Sequence, residues 1–151
     1  MNTLDRIKDI LVEQINGYRI LLDLLQKERE SVLSLDTNRV ESISKEKDTV
    51  IIRLRLTEDE RVRLLDKFAA ENNLPRNFSL QSLIETTGDD GLEILRMQLV
   101  SLVQSIDELN KFNMVLIGRS LNFVRHSMAF FESLGLDVDQ LNRRRVFSAE
   151  I

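Results

Sequence analysis

LEILRMQLVSLVQSIDELNKFNMVLIGRSLNFVRHSMAFFESL, running from Leu92 to Leu134, is a stretch of 43 residues with no proline and one glycine, Gly118. Steps of alternately three and four residues from Leu92 land on Leu95, Leu99, Leu102, Ile106, Leu109, Asn113, Leu116, Ser120, Phe123, Ser127, Phe130 and Leu134. Ten of those 13 positions are apolar, the pattern of a long helix with one buried face. A second stripe begins halfway, at Ile117, Leu121, Val124, Met128 and Phe131, one position ahead of the first. The second half of this helix is therefore apolar over a wider arc than one packing partner covers. The helix is the spine of the fold, and its second half is the expected interaction surface.

Two further helices precede the spine. The first starts at Asn2 or Thr3, either of which can cap it, and its stripe reads Leu4, Ile7, Leu11, Gln14, Tyr18, Leu21, Leu25, Glu28, Val32. Gly17 lies inside it, either as an exposed glycine or as a point of close approach to another helix. Asp36 starts the second helix, with Leu35 and Val40 spaced as a hydrophobic staple. Its stripe runs Val40, Ile43, Lys47, Val50, Leu54, Thr57, Arg61, Leu64, Phe68. At the polar positions Lys47, Thr57 and Arg61, long side chains can lie on apolar neighbours with their charges in water. Pro75 ends this helix, because it disfavours helical geometry in the residue before it. The short link at Asp36 makes the two helices antiparallel neighbours.

Ser79 can cap a short helix over residues 80–85 that ends at Thr86, Thr87 and Gly88. Asp90, with Glu93 three residues on, has capping-box spacing for the spine helix, and Gly135 is a natural terminator. The expected fold is all-α: an elongated antiparallel helix bundle or coiled-coil hairpin of three long helices and short accessory ones. Residues 1–135 form the helical domain. Residues 136–151 form a C-terminal tail, flexible or ordered by a partner. In that tail Asp137 and Gln140 repeat the capping spacing, Leu136 and Leu141 repeat the staple, and a short helix over residues 138–145 fits.

Composition narrows the function. Hydrophobic residues make up 42% and charged residues 30%, which suits a folded helical chain rather than a disordered one. A net charge of −4 argues against nucleic acid or an anionic membrane as the main partner. The cluster Arg143, Arg144, Arg145 reads as a solvated tail. There is no cysteine, hence no thiolate chemistry. No apolar run has the length of a transmembrane segment. The N-terminus has no signal-peptide core, so a cytoplasmic location is expected. His126, the single histidine, reads as a surface or partly buried residue. No phosphate-binding loop, nucleophile motif or helical di-iron signature is present. The expectation is a protein that is not an enzyme and uses no metal or other cofactor.

Residues 21–28 (LLDLLQKE), 33–36, 45–53 and 110–117 (NKFNMVLI), with Ser120 and Leu121 behind them, together resemble the FlgN family of flagellar type III export chaperones over roughly residues 4–134. The order, spacing and total length of these features carry the likeness. The resemblance implies an all-helical chaperone that binds the hook–filament junction proteins FlgK and FlgL through its C-terminal region and presents them to the flagellar export gate. Here that role falls on Asn113, Ile117, Leu121, Val124, Met128, Phe131 and Leu134, followed by Leu136, Leu141, Val146 and Phe147 in the tail. Members of the family often carry a tyrosine–glycine pair near the end of the last long helix. This chain has Phe130 and Phe131, with Gly135 beyond. The residues also fit a partner helix docking against i, i+3, i+4 anchors. Asn110 and Asn113 lie near the stripe as register-setting amides if buried. The alternative is a coiled-coil adapter or oligomerising stalk without cargo.

Overall fold

A computed structural model of the chain describes residues 1–135. These residues form four helices: α1 (Thr3–Leu33), α2 (Thr37–Glu71), α3 (Leu80–Thr87) and α4 (Asp90–Ser133). Helix accounts for 87% of the described residues, and no strand occurs among them. Three helices are long and one is short. The second accessory helix expected from sequence, over residues 138–145, lies outside the described residues, as do the caps and staple placed there.

Local chemistry sets each boundary. Asn2 caps α1, its Oδ1 accepting from the Asp5 amide at 2.8 Å. The α1 C-terminus closes as a Schellman motif: the Asp36 amide donates to the Ser31 carbonyl and the Leu35 amide to that of Val32. Leu35 occupies the left-handed position of that motif at φ 57°, where glycine is the usual residue. Asp36 then caps α2 through its side chain to the Arg39 amide. The α2 terminus repeats the device. Leu74 donates to Ala69 and Asn73 sits at φ 54°, just before Pro75. Ser79 caps α3, and Gly88 ends it at φ 62°.

The α4 cap is one residue earlier than the sequence spacing suggests. Asp89, not Asp90, accepts from the Leu92 amide at 3.1 Å, and Asp90 is the first helical residue. The reason is a second contact: Asp89 also meets Lys8 Nζ at 2.6 Å, so capping and an ion pair fall on one carboxylate. The far end agrees with expectation, with Gly135 at φ 73° beyond the last turn.

The described residues divide into two compact units. The first comprises Met1–Leu22 and Asp48–Ile106. Within it the α1 and α2 segments run antiparallel, as the pairs Thr3–Glu71 and Gln14–Glu58 show. Its core gathers Ile7, Leu11 and Ile15 from α1, Leu64 and Leu65 from α2, Leu80 and Leu83 from α3, and Leu92 and Leu99 from α4. Tyr18 packs against this core half-buried. Gly17 is a close approach. A Cβ there would lie 2.7 Å from Leu54 Cδ2, which settles the question its position raised.

The second unit comprises Asp23–Lys47 and the chain from Asp107 onward. Its α1 and α2 segments bury Leu24, Leu25, Val32, Val40 and Ile43. A polar knot joins them to α4. Glu28 is buried and its Oε2 accepts from Lys47 Nζ at 2.8 Å. Lys47 therefore turns its charge to a buried partner and keeps only part of its side chain in contact with solvent, whereas its long stem suggested a charge held in water. A carboxylate buried as deeply as Glu28 needs a counter-charge, and Lys47 supplies it.

Candidate functional site

The second unit's part of α4 carries the residues that sequence reasoning placed in a partner site. Asn113 is its one fully buried side chain among the described residues, at 1% exposure. Its Nδ2 donates to the Leu25 carbonyl at 2.8 Å and to Glu28 Oε1 at 3.0 Å, while its own Oδ1 is buried without a hydrogen-bond partner in the protein. An unpaired buried acceptor costs roughly 1–3 kcal/mol. The amide therefore fixes the register of α4 against α1 while leaving one acceptor unmatched. Asn110, considered alongside it, is exposed.

Beyond Asn113 the burial pattern departs from the heptad reading. Phe123, Phe130 and Leu134, which continue the three-and-four stepping, are 62%, 60% and 60% exposed. Ile117, Leu121, Val124, Met128 and Phe131 are half-buried instead. The cause is geometric. Stepping by three and four averages 3.5 residues per turn, and an α-helix has 3.6, so the stripe drifts by about 20° per heptad. On an ideal helix Ile117, Leu121, Val124 and Met128 fall within about 40° of the direction of Leu92, whereas Phe123, Phe130 and Leu134 lie about 120–160° away from it. The second stripe is thus the in-phase continuation of the packed face, and the surplus apolar surface is the drifting remainder of the first.

The edge so exposed is aromatic. Phe130 meets Phe131 edge-on, with ring centroids 5.8 Å apart. Nearer Asn113, Phe112 is half-exposed and lies under the Arg29 guanidinium, 5.3 Å from carbon to ring centroid, a cation–π arrangement. Sequence reasoning assigned Phe123 and Phe130 to the packed face and passed over Phe112. Counting at 3.6 residues per turn would have separated them. Leu136, Leu141, Val146 and Phe147 lie outside the described residues.

Catalytic geometry is not what this surface offers. His126 is exposed on α4. Among the described residues no group of three or more metal-ligating side chains converges, and no helix is long and apolar enough to cross a membrane. What the arrangement can do is bury apolar side chains of another protein against an aromatic edge.

The family model for FlgN protein matches residues 1–137 of the chain. No curated protein and no solved structure matches it.

Proposed function

The chain belongs to the FlgN family of flagellar export chaperones, and from that premise we propose that it binds the hook–filament junction proteins FlgK and FlgL in the cytoplasm and delivers them to the flagellar type III export gate. The observation that carries the cargo-binding part is the exposed edge Phe123, Phe130, Leu134 beside a half-buried seam. Large apolar side chains left in water on a folded helix mark an interaction surface when they are contiguous. A cargo helix laid on this edge covers Phe123, Phe130 and Leu134 and meets the seam at Phe131, whose ring touches Phe130. Ile117, Leu121, Val124 and Met128 face the other way and take part only if the cargo wraps around α4. The tail residues Leu136, Leu141, Val146 and Phe147 join the same site on the strength of the family resemblance.

Full burial of one such side chain contributes about 1.5–3 kcal/mol, and about 1.4 kcal/mol is a factor of ten in affinity. The double variant Phe123→Glu, Phe130→Glu should therefore weaken FlgK and FlgL binding by far more than tenfold in calorimetric titration. Its circular dichroism should stay that of the parent, because both side chains already face water. Unchanged cargo affinity in the folded double variant would move the site elsewhere.

A further inference from the structure

The first unit carries a groove of about 440 Å³ that the α4 edge does not explain. Gln14 and Tyr18 of α1 form its floor, and Glu58 and Arg61 of α2 form one wall. The opposite wall is α4, with Leu99, Val100 and Val103 presenting an aliphatic surface and Arg96 beside them. Val100 and Val103 are 42% and 45% exposed, so this surface faces the groove without being covered by the protein.

Three polar features define what fits. Both oxygens of Glu58 are engaged, one accepting from Gln14 Nε2 at 2.8 Å and the other paired with Arg61. Arg96 has no ion pair or hydrogen bond among the described residues and leaves the groove net positive. Among the lining residues, Gln14 Oε1 and Arg61 Nε are both buried and have no hydrogen-bond partner in the protein. Gln14 is one of the most deeply buried residues of the chain, so its idle acceptor is fixed in place. Its amide orientation is also fixed, because only nitrogen can donate to Glu58.

An idle acceptor and an idle donor on residues that line one groove are the complement of a main-chain N–H and C=O. A helix keeps both of those groups for itself except at its ends, whereas an extended chain offers them.

We propose that this groove binds a short extended peptide segment of a partner protein, carrying an aliphatic side chain against Leu99 and Val103 and a carboxylate against Arg96, with its main chain on Gln14 and Arg61. Arg61 holds Glu58 through Nη2, so its guanidinium can pivot to present Nε while keeping that pair. The site is separate from the α4 edge and stands or falls independently of the cargo reading.

The test is selection of random heptapeptides displayed on phage against the full chain, followed by fluorescence anisotropy with the best peptide in synthetic form. The expected peptides combine Leu, Ile or Val with Asp or Glu. Their affinity should drop at least tenfold in Arg96→Glu and in Val103→Asp, each checked for helix content, and should be unchanged in Phe123→Glu. Failure to enrich any peptide, or binding indifferent to Arg96→Glu, overturns the proposal. So does a peptide that Phe123→Glu abolishes. Light scattering covers another occupant: a dimer that Arg96→Glu dissolves would give the groove to a second copy of the chain and equally overturn the peptide assignment. Loss of cargo binding in the Phe123, Phe130 variant bears on none of these outcomes.

Discussion

In the first unit α4 contributes Leu92, fully buried, and Leu99 to a core shared with three other helical segments. In the second unit the same helix contributes one buried side chain among the described residues, the amide of Asn113, and otherwise half-buried or exposed apolar residues. The α1 and α2 segments of that second unit are well packed, burying Leu24, Leu25, Val32, Val40 and Ile43. The contrast therefore lies in how α4 is held, not in how much apolar sequence is present. Interdigitated leucines hold it in one unit. In the other, a directional polar contact sets its register and leaves apolar area unspent. A chaperone needs both conditions, a stable scaffold and a surface whose burial is still to come.

The largest test of this contrast compares two leucines on the one helix. Leu92→Ala should cost about 2–5 kcal/mol, the range for emptying a fully buried leucine site. Leu121→Ala should cost about 1 kcal/mol or less, because that side chain is only half withdrawn from water. Denaturant midpoints at constant slope measure both. Equal losses would mean that α4 is held alike in both units.

The next test addresses the polar knot. Glu28→Ala strands Lys47 and one hydrogen bond of Asn113. Breaking a buried pair is costly, and with Lys47 partly in contact with solvent the loss should be about 2–3 kcal/mol. Asn113→Leu should cost less than that, because the buried Glu28 Oε1 left without a donor is offset in part by removal of the unmatched Oδ1. Thermal unfolding of both variants sharpens the comparison. If Asn113→Leu destabilises as much as Glu28→Ala, the amide is a structural necessity and not only a register device.

Much of this was legible in the sequence. The stripes of α1 and α2 are the buried or half-buried faces, down to polar Gln14, Glu28 and Thr57, because periodicity reports direction regardless of residue type. The caps at Asp36 and Ser79 were legible because their partners lie three residues away. At α4 the local spacing did not decide between neighbouring aspartates: Asp89 also has an amide three residues on, at Leu92, and the Lys8 contact that goes with it is remote in sequence. The knot was missed for the same reason, since Asn113 finds Glu28 across 85 positions. The exposed edge was misplaced by an arithmetic slip that grows with length, so it matters on a helix of 44 residues and is invisible on a short one.

The smallest effect belongs to pH. The hydrogen bond from Lys8, and then that from the Leu92 amide, holds the Asp89 carboxyl below its ordinary pKa. A carboxylate depressed on folding adds stability above its unfolded pKa, near 3.9, and that contribution is lost as pH falls through the folded value. The stability difference between the parent and Asp89→Asn should be present at pH 7 and shrink below about pH 4. Urea unfolding at the two pH values reads it. A difference that persists undiminished in acid would mean that the ion pair with Lys8 does not set it.

Leu35, held at φ 57° between α1 and α2, bears on the order in which the chain assembles. A left-handed leucine is disfavoured by about 1–2 kcal/mol, so the unfolded chain visits this reversal roughly ten times less often than it would with glycine. The turn is therefore a follower, drawn shut by helices that have already met, and does not start the hairpin. During synthesis α1 emerges first, with its core partners Leu64, Leu83 and Leu92 still to be made. The C-terminal part of α1 can bury its leucines once Val40 and Ile43 have followed it, whereas Ile7 and Leu11 wait for Leu64, Leu83 and Leu92.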